Sequence, residues 1–233
     1  MAKKIAMIGA GSVVFCKILM STIMATPALS DKGIPEQGAG KGARPLFDGR
    51  TLDGWEGNLE VWRVQDGVII GGSLNGNARN EFLATTRSYG NFIIRLEYKL
   101  AGTEGFINSG VQFRSLRIPE PPTEMSGYQA DIGSGHSGCL YDESRRNRFL
   151  ARGTDEQITR LEKPGEWNSL EVRCDGPRIR ILLNGEKTVD YTESDAAIEE
   201  KGLIALQIHG GSKAEVCFRR ITIEELPAVA QAH

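Results

Sequence analysis

The sequence predicts an all-β protein, an antiparallel β-sandwich preceded by a short leader. Three observations carry this. Short segments between Leu46 and Leu226 alternate apolar and polar residues with a period of two. Turn residues separate them at near-even spacing, and 28 glycines and 9 prolines suit many tight turns. No stretch of a dozen residues carries helical spacing, so the crossovers that a parallel sheet needs are missing.

At 233 residues the chain can bury a substantial core without staples. We divide it into a leader (1–30), a flexible Gly/Pro linker (31–45), a sandwich domain (46–227) and a short tail (228–233). The formal net charge of −2 with mixed signs excludes a basic nucleic-acid face and gives no case for an anionic membrane surface. Four cysteines (Cys16, Cys139, Cys174, Cys217) form no Cys-x-x-Cys pair, so neither a disulfide framework nor a structural zinc site is expected. Cys174 and Cys217 could bridge if their strands were neighbours; we read them as buried thiols.

The leader opens with Lys3-Lys4, followed by apolar runs at 5–16 and 18–24 that Lys17 interrupts. Ala28-Leu29-Ser30 offers small residues at a spacing that a signal peptidase accepts. A secretory signal is the first reading, which implies a periplasmic or secreted protein. Neither run reaches the 20 or so residues of a membrane span. The second reading is a vestige of a dinucleotide-binding fold. Residues 4–12, with Gly9-Ala10-Gly11, resemble the start of NAD-dependent glycosidases that pass through a 3-keto sugar. One strand and one glycine turn with no βαβ unit behind them cannot hold a dinucleotide, so no NAD site is expected.

In the body, 61–64 and 68–70 flank Gln65-Asp66-Gly67, a hairpin signal. Residues 92–100 alternate, with Phe92, Ile94, Leu96, Tyr98 and Leu100 inward and Arg95, Glu97 and Lys99 outward. Residues 167–174 and 178–183 flank Asp175-Gly176-Pro177, Asn184-Gly185 turns into 187–191, and 203–209 and 216–223 finish the domain. Asp142–Asn147 and Ser194–Glu200 could each form a helical turn or two. Trp55, Trp62 and Trp167 read as core, with a sugar-stacking role for one of them left open.

The chemistry gathers in residues 127–146. Tyr128, Ala130 and Ile132 point one way, Gln129 and Asp131 the other. Gly133, Gly135 and Gly138 then place His136 on a loop, and Tyr141, Asp142, Glu143, Arg145 and Arg146 follow. Two further strands repeat the pattern. Asn108, Gln112 and Arg114 oppose Ser109, Val111 and Phe113; Gln207 and His209 oppose Ile204, Leu206 and Ile208. If these strands are adjacent, their amides, carboxylates, guanidinium and imidazole line one polar face suited to a saccharide. Taken singly, each of these residues also fits a solvated strand.

These segments resemble, in order, the motifs of the 3-keto-disaccharide hydrolase family. They are Leu46-Phe47-Asp48-Gly49-Arg50-Thr51-Leu52-Asp53-Gly54-Trp55, Asn108–Arg114, Tyr128–Gly133, Leu140–Arg146, Glu166-Trp167-Asn168, Leu183-Asn184-Gly185 and Gly202–His209. The resemblance spans nearly the whole domain and implies a concanavalin- or laminin-G-like jelly roll. It departs at 134–139, where bulky aromatics are expected and Ser-Gly-His-Ser-Gly-Cys stands.

The resemblance implies a substrate glycoside oxidised at carbon 3, supplied by a sugar 3-dehydrogenase as functional partner. The ketone acidifies the carbon 2 hydrogen, so a base, donors at the carbon 3 oxygen and an acid for the leaving oxygen are needed. Glu143 or His209 is the expected base. Arg114 with Gln129 or Asn108 would hold the enolate, and Asp131, Asp142 or Tyr141 would donate or orient. Gln112, Gln207, Arg146 and His136 are expected to bind substrate. A two-carboxylate glycosidase using Asp131 and Glu143, and a divalent cation on Asp131, Asp142, Glu143 and His209, stay open. No recognised metal spacing is present. Rival functions are a non-catalytic, lectin-like carbohydrate-binding module and a partner-binding structural domain.

Overall fold

The computed structural model describes residues 42–227. The expected leader, Gly9-Ala10-Gly11, most of the linker and the tail lie outside them.

The body is two antiparallel sheets face to face, the sandwich that the alternation predicts. The first runs β13-β12-β11-β6-β15-β4-β3, with β1 also on β15. Its strands are β1 (Arg44–Pro45), β3 (Trp62–Gln65), β4 (Val68–Asn77), β6 (Phe92–Gly105), β11 (Asn168–Asp175), β12 (Arg178–Leu183), β13 (Glu186–Thr192) and β15 (Ser212–Glu225). The second runs β10-β9-β8-β7-β14-β5-β2. It comprises β2 (Trp55–Glu56), β5 (Glu81–Thr85), β7 (Asn108–Arg117), β8 (Met125–Gly133), β9 (Leu140–Glu143), β10 (Arg148–Ala151) and β14 (Leu203–Ile208). Pairing begins at Arg44, opposite Ile223, two residues ahead of the expected domain start.

Three two-residue hairpins form because residues in them tolerate positive φ: Asp66 (51°) with Gly67 (78°), Gly176 (53°) before Pro177, and Asn184 (50°) with Gly185 (84°). Asn184 also ties its neighbours, accepting from the Ser169 amide at 2.8 Å and donating to the Leu161 carbonyl at 2.7 Å.

The core lies between the sheets. Ile94, Leu96 and Tyr98 of β6 meet Val111 and Phe113 of β7, Tyr128, Ala130 and Ile132 of β8, and Ile204, Leu206 and Ile208 of β14. Phe113 stacks on Tyr128 at 5.7 Å and 21°, and Phe113→Ala would cost about 3–5 kcal/mol. Trp55 and Trp62 are core, as expected, but Trp167 is half-buried and carries the Arg219 guanidinium over its ring at 3.9 Å. Cys139, Cys174 and Cys217 are buried thiols. Cys174 and Cys217 pair with opposite edges of β6, so their strands are not neighbours.

Among the described residues one short helix, α1 (Asp155–Leu161), escaped the sequence. Thr154 caps it, and it buries only Ile158 and Leu161, too few apolar positions to show a period. The two predicted helical turns are a strand end with a turn (Asp142 and Glu143 belong to β9) and a turn at Ala196-Ala197. Among the described residues no helix is long and apolar enough to cross a membrane.

Candidate active site

The second sheet places β8, β7 and β14 side by side, so the three polar strand faces become one surface. Register aligns Gln112 with Gln129 and Gly110 with Asp131, while β14 sets Ala205 beside Gln112 and Gln207 beside Gly110. From β9 come Tyr141, opposite Gln129, and Glu143, opposite Gly127. Although this face points away from the core, Asn108, Gln112, Gln129, Asp131 and Gln207 are all buried. They form one buried polar layer, the floor of the candidate site. Beside them Phe82, Ala84, Met125 and Ala205, with Leu203, make a small separate apolar cluster.

A relay of amides crosses the floor. Gln112 Nε2 donates to Gln129 Oε1 at 3.4 Å, and Gln129 Nε2 donates to Asp131 Oδ1 at 3.5 Å. Asn108 Nδ2 and the Ile132 amide also donate to Asp131 Oδ1, at 2.8 and 3.0 Å. Gln207 Nε2 donates to Glu143 Oε2 at 3.5 Å. The carbonyl oxygens of Gln112 and Gln207 are buried without a partner. A buried amide oxygen without a donor is costly, and such atoms need explaining. Sugar hydroxyls would supply the missing donors.

Burial pushes the Asp131 carboxyl up to about 6, against the hydrogen bond from Asn108 and the pull of His136. Burial, and then the charges of Glu124 and Asp131, push Glu143 up to about 7, with the bond from Gln207 opposing. Both acids can therefore hold or release a proton near neutrality. Burial and the neighbouring Glu143 raise the Tyr141 hydroxyl, which stays protonated and able to donate.

Aromatic rings bound the cleft in an arc. Phe106 meets His209 edge-on at 5.0 Å and His136 at 6.3 Å. His136 stacks on Phe149 at 5.4 Å and 23°, and Phe149 meets Tyr141 at 5.1 Å. The His209 ring Nδ1 lies 2.6 Å from the Gly210 carbonyl, which can only accept, so Nδ1 carries a proton there. His136 Nδ1 is buried and unpartnered. Phe106, Phe149 and Glu124 were missed by sequence reasoning. A turn phenylalanine, one in a four-residue strand, and an acid in a Pro-rich loop carry no local sign of chemistry.

Three expected site residues are elsewhere. Asp142 alternates with Tyr141 and Glu143, so it points inward and is fully buried. There it accepts from Arg145 Nε at 2.8 Å and pairs with Arg146, which reaches Glu193 Oε2 at 2.6 Å. Arg146 and Asp142 are thus one ion network at the sheet margin. Arg114 takes φ 47° in a bulge where the β7–β8 register shifts. The bulge swings its guanidinium to the Gly90 carbonyl (3.0 Å) and Asn91 Oδ1 (3.2 Å), out of the amide floor.

Among the described residues no three His, Cys, Asp or Glu side chains converge where a metal ion could be held. A separate cavity of about 160 Å³ lies behind the 133–137 loop, lined by Tyr98, Leu100, Ile107, Ile132 and the 162–165 turn. It is on the core side of β8, opposite Asp131, and mostly apolar.

Two antiparallel sheets with an amide-floored, ring-bounded cleft define a jelly-roll sandwich, an architecture shared with carbohydrate-binding modules. The chain belongs to the 3-keto-alpha-glucoside-1,2-lyase-like domain family, whose model matches residues 42–224. It is similar to a "putative glycosyl hydrolase" of Parabacteroides distasonis, with TM-score 0.62 and 21% identity, over 84% of this chain and 99% of that one. A second "putative glycosyl hydrolase" of that organism matches with TM-score 0.59 and 24% identity, over 79% and 99%. A carbohydrate binding module of Bacillus subtilis matches with TM-score 0.58 and 17% identity, over 74% and 96%. At these identities the likenesses show the fold. No curated protein matches the chain.

Proposed function

We propose that this protein cleaves glycosides oxidised at carbon 3, removing the carbon 2 proton and expelling the group on carbon 1. One observation carries the proposal: a buried carboxyl, Asp131, at about 6, and a half-buried one, Glu143, at about 7, lie beside two unpartnered amide oxygens. Family membership fits the same substrate class.

In the step proposed, a carboxylate takes the carbon 2 proton, the C–H electron pair forms a second bond between carbon 2 and carbon 3, and the carbonyl pair moves onto the carbon 3 oxygen as an enolate. The enolate re-forms its ketone, a carbon 1–carbon 2 double bond appears, and the carbon 1–oxygen bond breaks as an acid protonates the leaving oxygen. Water addition at carbon 1 then yields the 3-keto sugar. With Asp131 at about 6 and Glu143 at about 7, we take Asp131 as the base and Glu143 as the acid at neutral pH, exchanging the roles expected from sequence. Gln112, Gln129 and Gln207 hold ring hydroxyls and the carbon 3 oxygen, and Tyr141 and His209 complete the walls. The same reading takes its substrate from a sugar 3-dehydrogenase and sets the reaction in the periplasm or outside the cell.

The deciding experiment gives the protein a 3-keto-glucoside with a chromogenic leaving group beside the unoxidised glucoside, each with and without chelator. Release from the keto substrate alone is expected. Release from both indicates ordinary acid/base glycosidase action, and release from neither, with sugar binding retained, indicates a binding module. Loss of release with chelator would bring a divalent cation into the reaction.

A further inference from the structure

We infer that the aromatic arc is the subsite for the leaving group, and that Phe106 makes it select a flat aromatic aglycone over an alkyl group. The inference rests on the function proposed above and adds the substrate's other half.

Phe106 stands in the turn between β6 and β7, next to Gly105, which takes φ 78° there. Its side chain is 52% exposed, one of three exposed large apolar residues among those described. Phe106 leans on both imidazoles of the cleft, His209 at 5.0 Å and His136 at 6.3 Å. From His136 the rings continue through Phe149 to Tyr141, two residues before Glu143 on the same face of β9. The arc thus begins beside Asn108, whose carbonyl accepts from the His209 amide, and ends beside a carboxyl of the pair. A group on carbon 1 of a sugar seated on the amide floor has this arc as its wall.

The two walls differ in chemistry. The floor offers three glutamine amides and an asparagine, suited to hydroxyls. Phe106, Phe149 and His136 offer ring faces and edges, and the polar points of the arc are few: the buried, unpartnered His136 Nδ1, with the Tyr141 hydroxyl and the His209 ring at its two ends. A second sugar would bring more hydroxyls than these groups can bond, which is unfavourable on burial. An aryl ring brings none, and gains from offset or edge-on contact with rings 4.5–7 Å away. The exposed half of Phe106 is then the surface covered when the aglycone binds.

The test has two arms. In the first, equilibrium binding of phenyl glucoside and methyl glucoside, neither oxidised, is measured by calorimetry on wild type, Phe106→Ala and Phe106→Trp. Wild type should prefer the phenyl compound by about tenfold, as one aromatic contact provides. Phe106→Ala should bring that ratio near one, and Phe106→Trp should restore it. The second arm repeats the comparison by turnover of the 3-keto forms, where Phe106→Ala should act on KM for the phenyl substrate more than on kcat. Equal affinity for both glucosides in wild type, or an unchanged ratio in Phe106→Ala, overturns the subsite. Absence of turnover with the binding preference intact overturns the reaction and leaves the subsite standing.

Discussion

Gln207 on β14 donates to Glu143 on β9 at 3.5 Å although β7 and β8 lie between them. In a flat sheet strands three spacings apart are separated by about 14 Å. Two side chains can close that gap only if the sheet curls its outward face, and this curl buries the amide floor. The bond also gives Gln207 a task beyond binding: it holds the Glu143 carboxyl in place while its own oxygen stays buried and unpaired.

Glu143→Gln keeps the shape of that bond and removes the proton that the acid must give. Turnover of a 3-keto-glucoside should fall by about 10²–10⁴ while sugar affinity holds, the range of a lost acid/base group. His209→Ala should lower turnover as well, since its ring stands edge-on to Phe106 at one end of the arc. Near wild-type kcat in both variants would end the proposed assignment.

Activity should follow a bell in pH. The base must be ionised, so kcat/KM rises as Asp131 loses its proton near pH 6, and the acid must be protonated, so it falls as Glu143 loses its proton near pH 7. A single rising limb would remove Glu143 from the acid's role.

The same burial sets a stability effect of known sign. Glu143 holds its proton up to about 7 when folded and near 4.5 when free, so unfolding releases a proton between those values. Stability therefore falls as pH rises through that window, and above it the full deficit remains. Glu143→Gln removes the deficit, on the order of 2 kcal/mol, and should raise Tm by several degrees at pH 8 with no gain at pH 4. Thermal melts at both values check this.

Asp142 gives the opposite pattern. It is fully buried between Arg145 and Arg146, outside the cleft. Asp142→Ala leaves Arg145 without its carboxylate and Arg146 with Glu193 alone, and should cost about 3 kcal/mol, roughly 10 °C in Tm. The folded fraction should keep kcat/KM within a few-fold. A large loss of kcat without a loss of Tm would return Asp142 to the active site.

How far the sequence reveals this site depends on the range of each cause. Alternation is local, so Gln129 and Asp131 were assigned to a face opposite Tyr128 and Ile132, where they lie. The same rule applied to Leu140–Glu143 would have turned Asp142 inward; the cluster of charges around it hid a signal that was present. Arg114 was beyond reach, because a bulge with positive φ at a non-glycine residue breaks the alternation without a sequence mark. Phe106 and Phe149 matter through which strands meet and where a loop returns, and nothing within a few residues of either encodes that. The β8-β7-β14 adjacency, on which the whole site depends, was a condition of the sequence argument and an observation of the structure.

Gly110 tests the floor itself. It opposes Asp131 in the register, and Gln129 lies across it so closely that a Cβ there would stand 2.4 Å from Gln129 Cδ and 2.6 Å from Cγ. Its φ is ordinary, so the requirement is for space and not for backbone freedom. Gly110→Ala must displace Gln129, breaking the relay from Gln112 to Asp131, and kcat/KM should fall by at least about tenfold. Gln129→Ala should do the same. Because both substitutions act through one side chain, the double variant should be no worse than the poorer single one, a coupling that a double-mutant cycle reads directly. Losses that simply multiply would mean that Gly110 serves the cleft by some route other than the seat of Gln129.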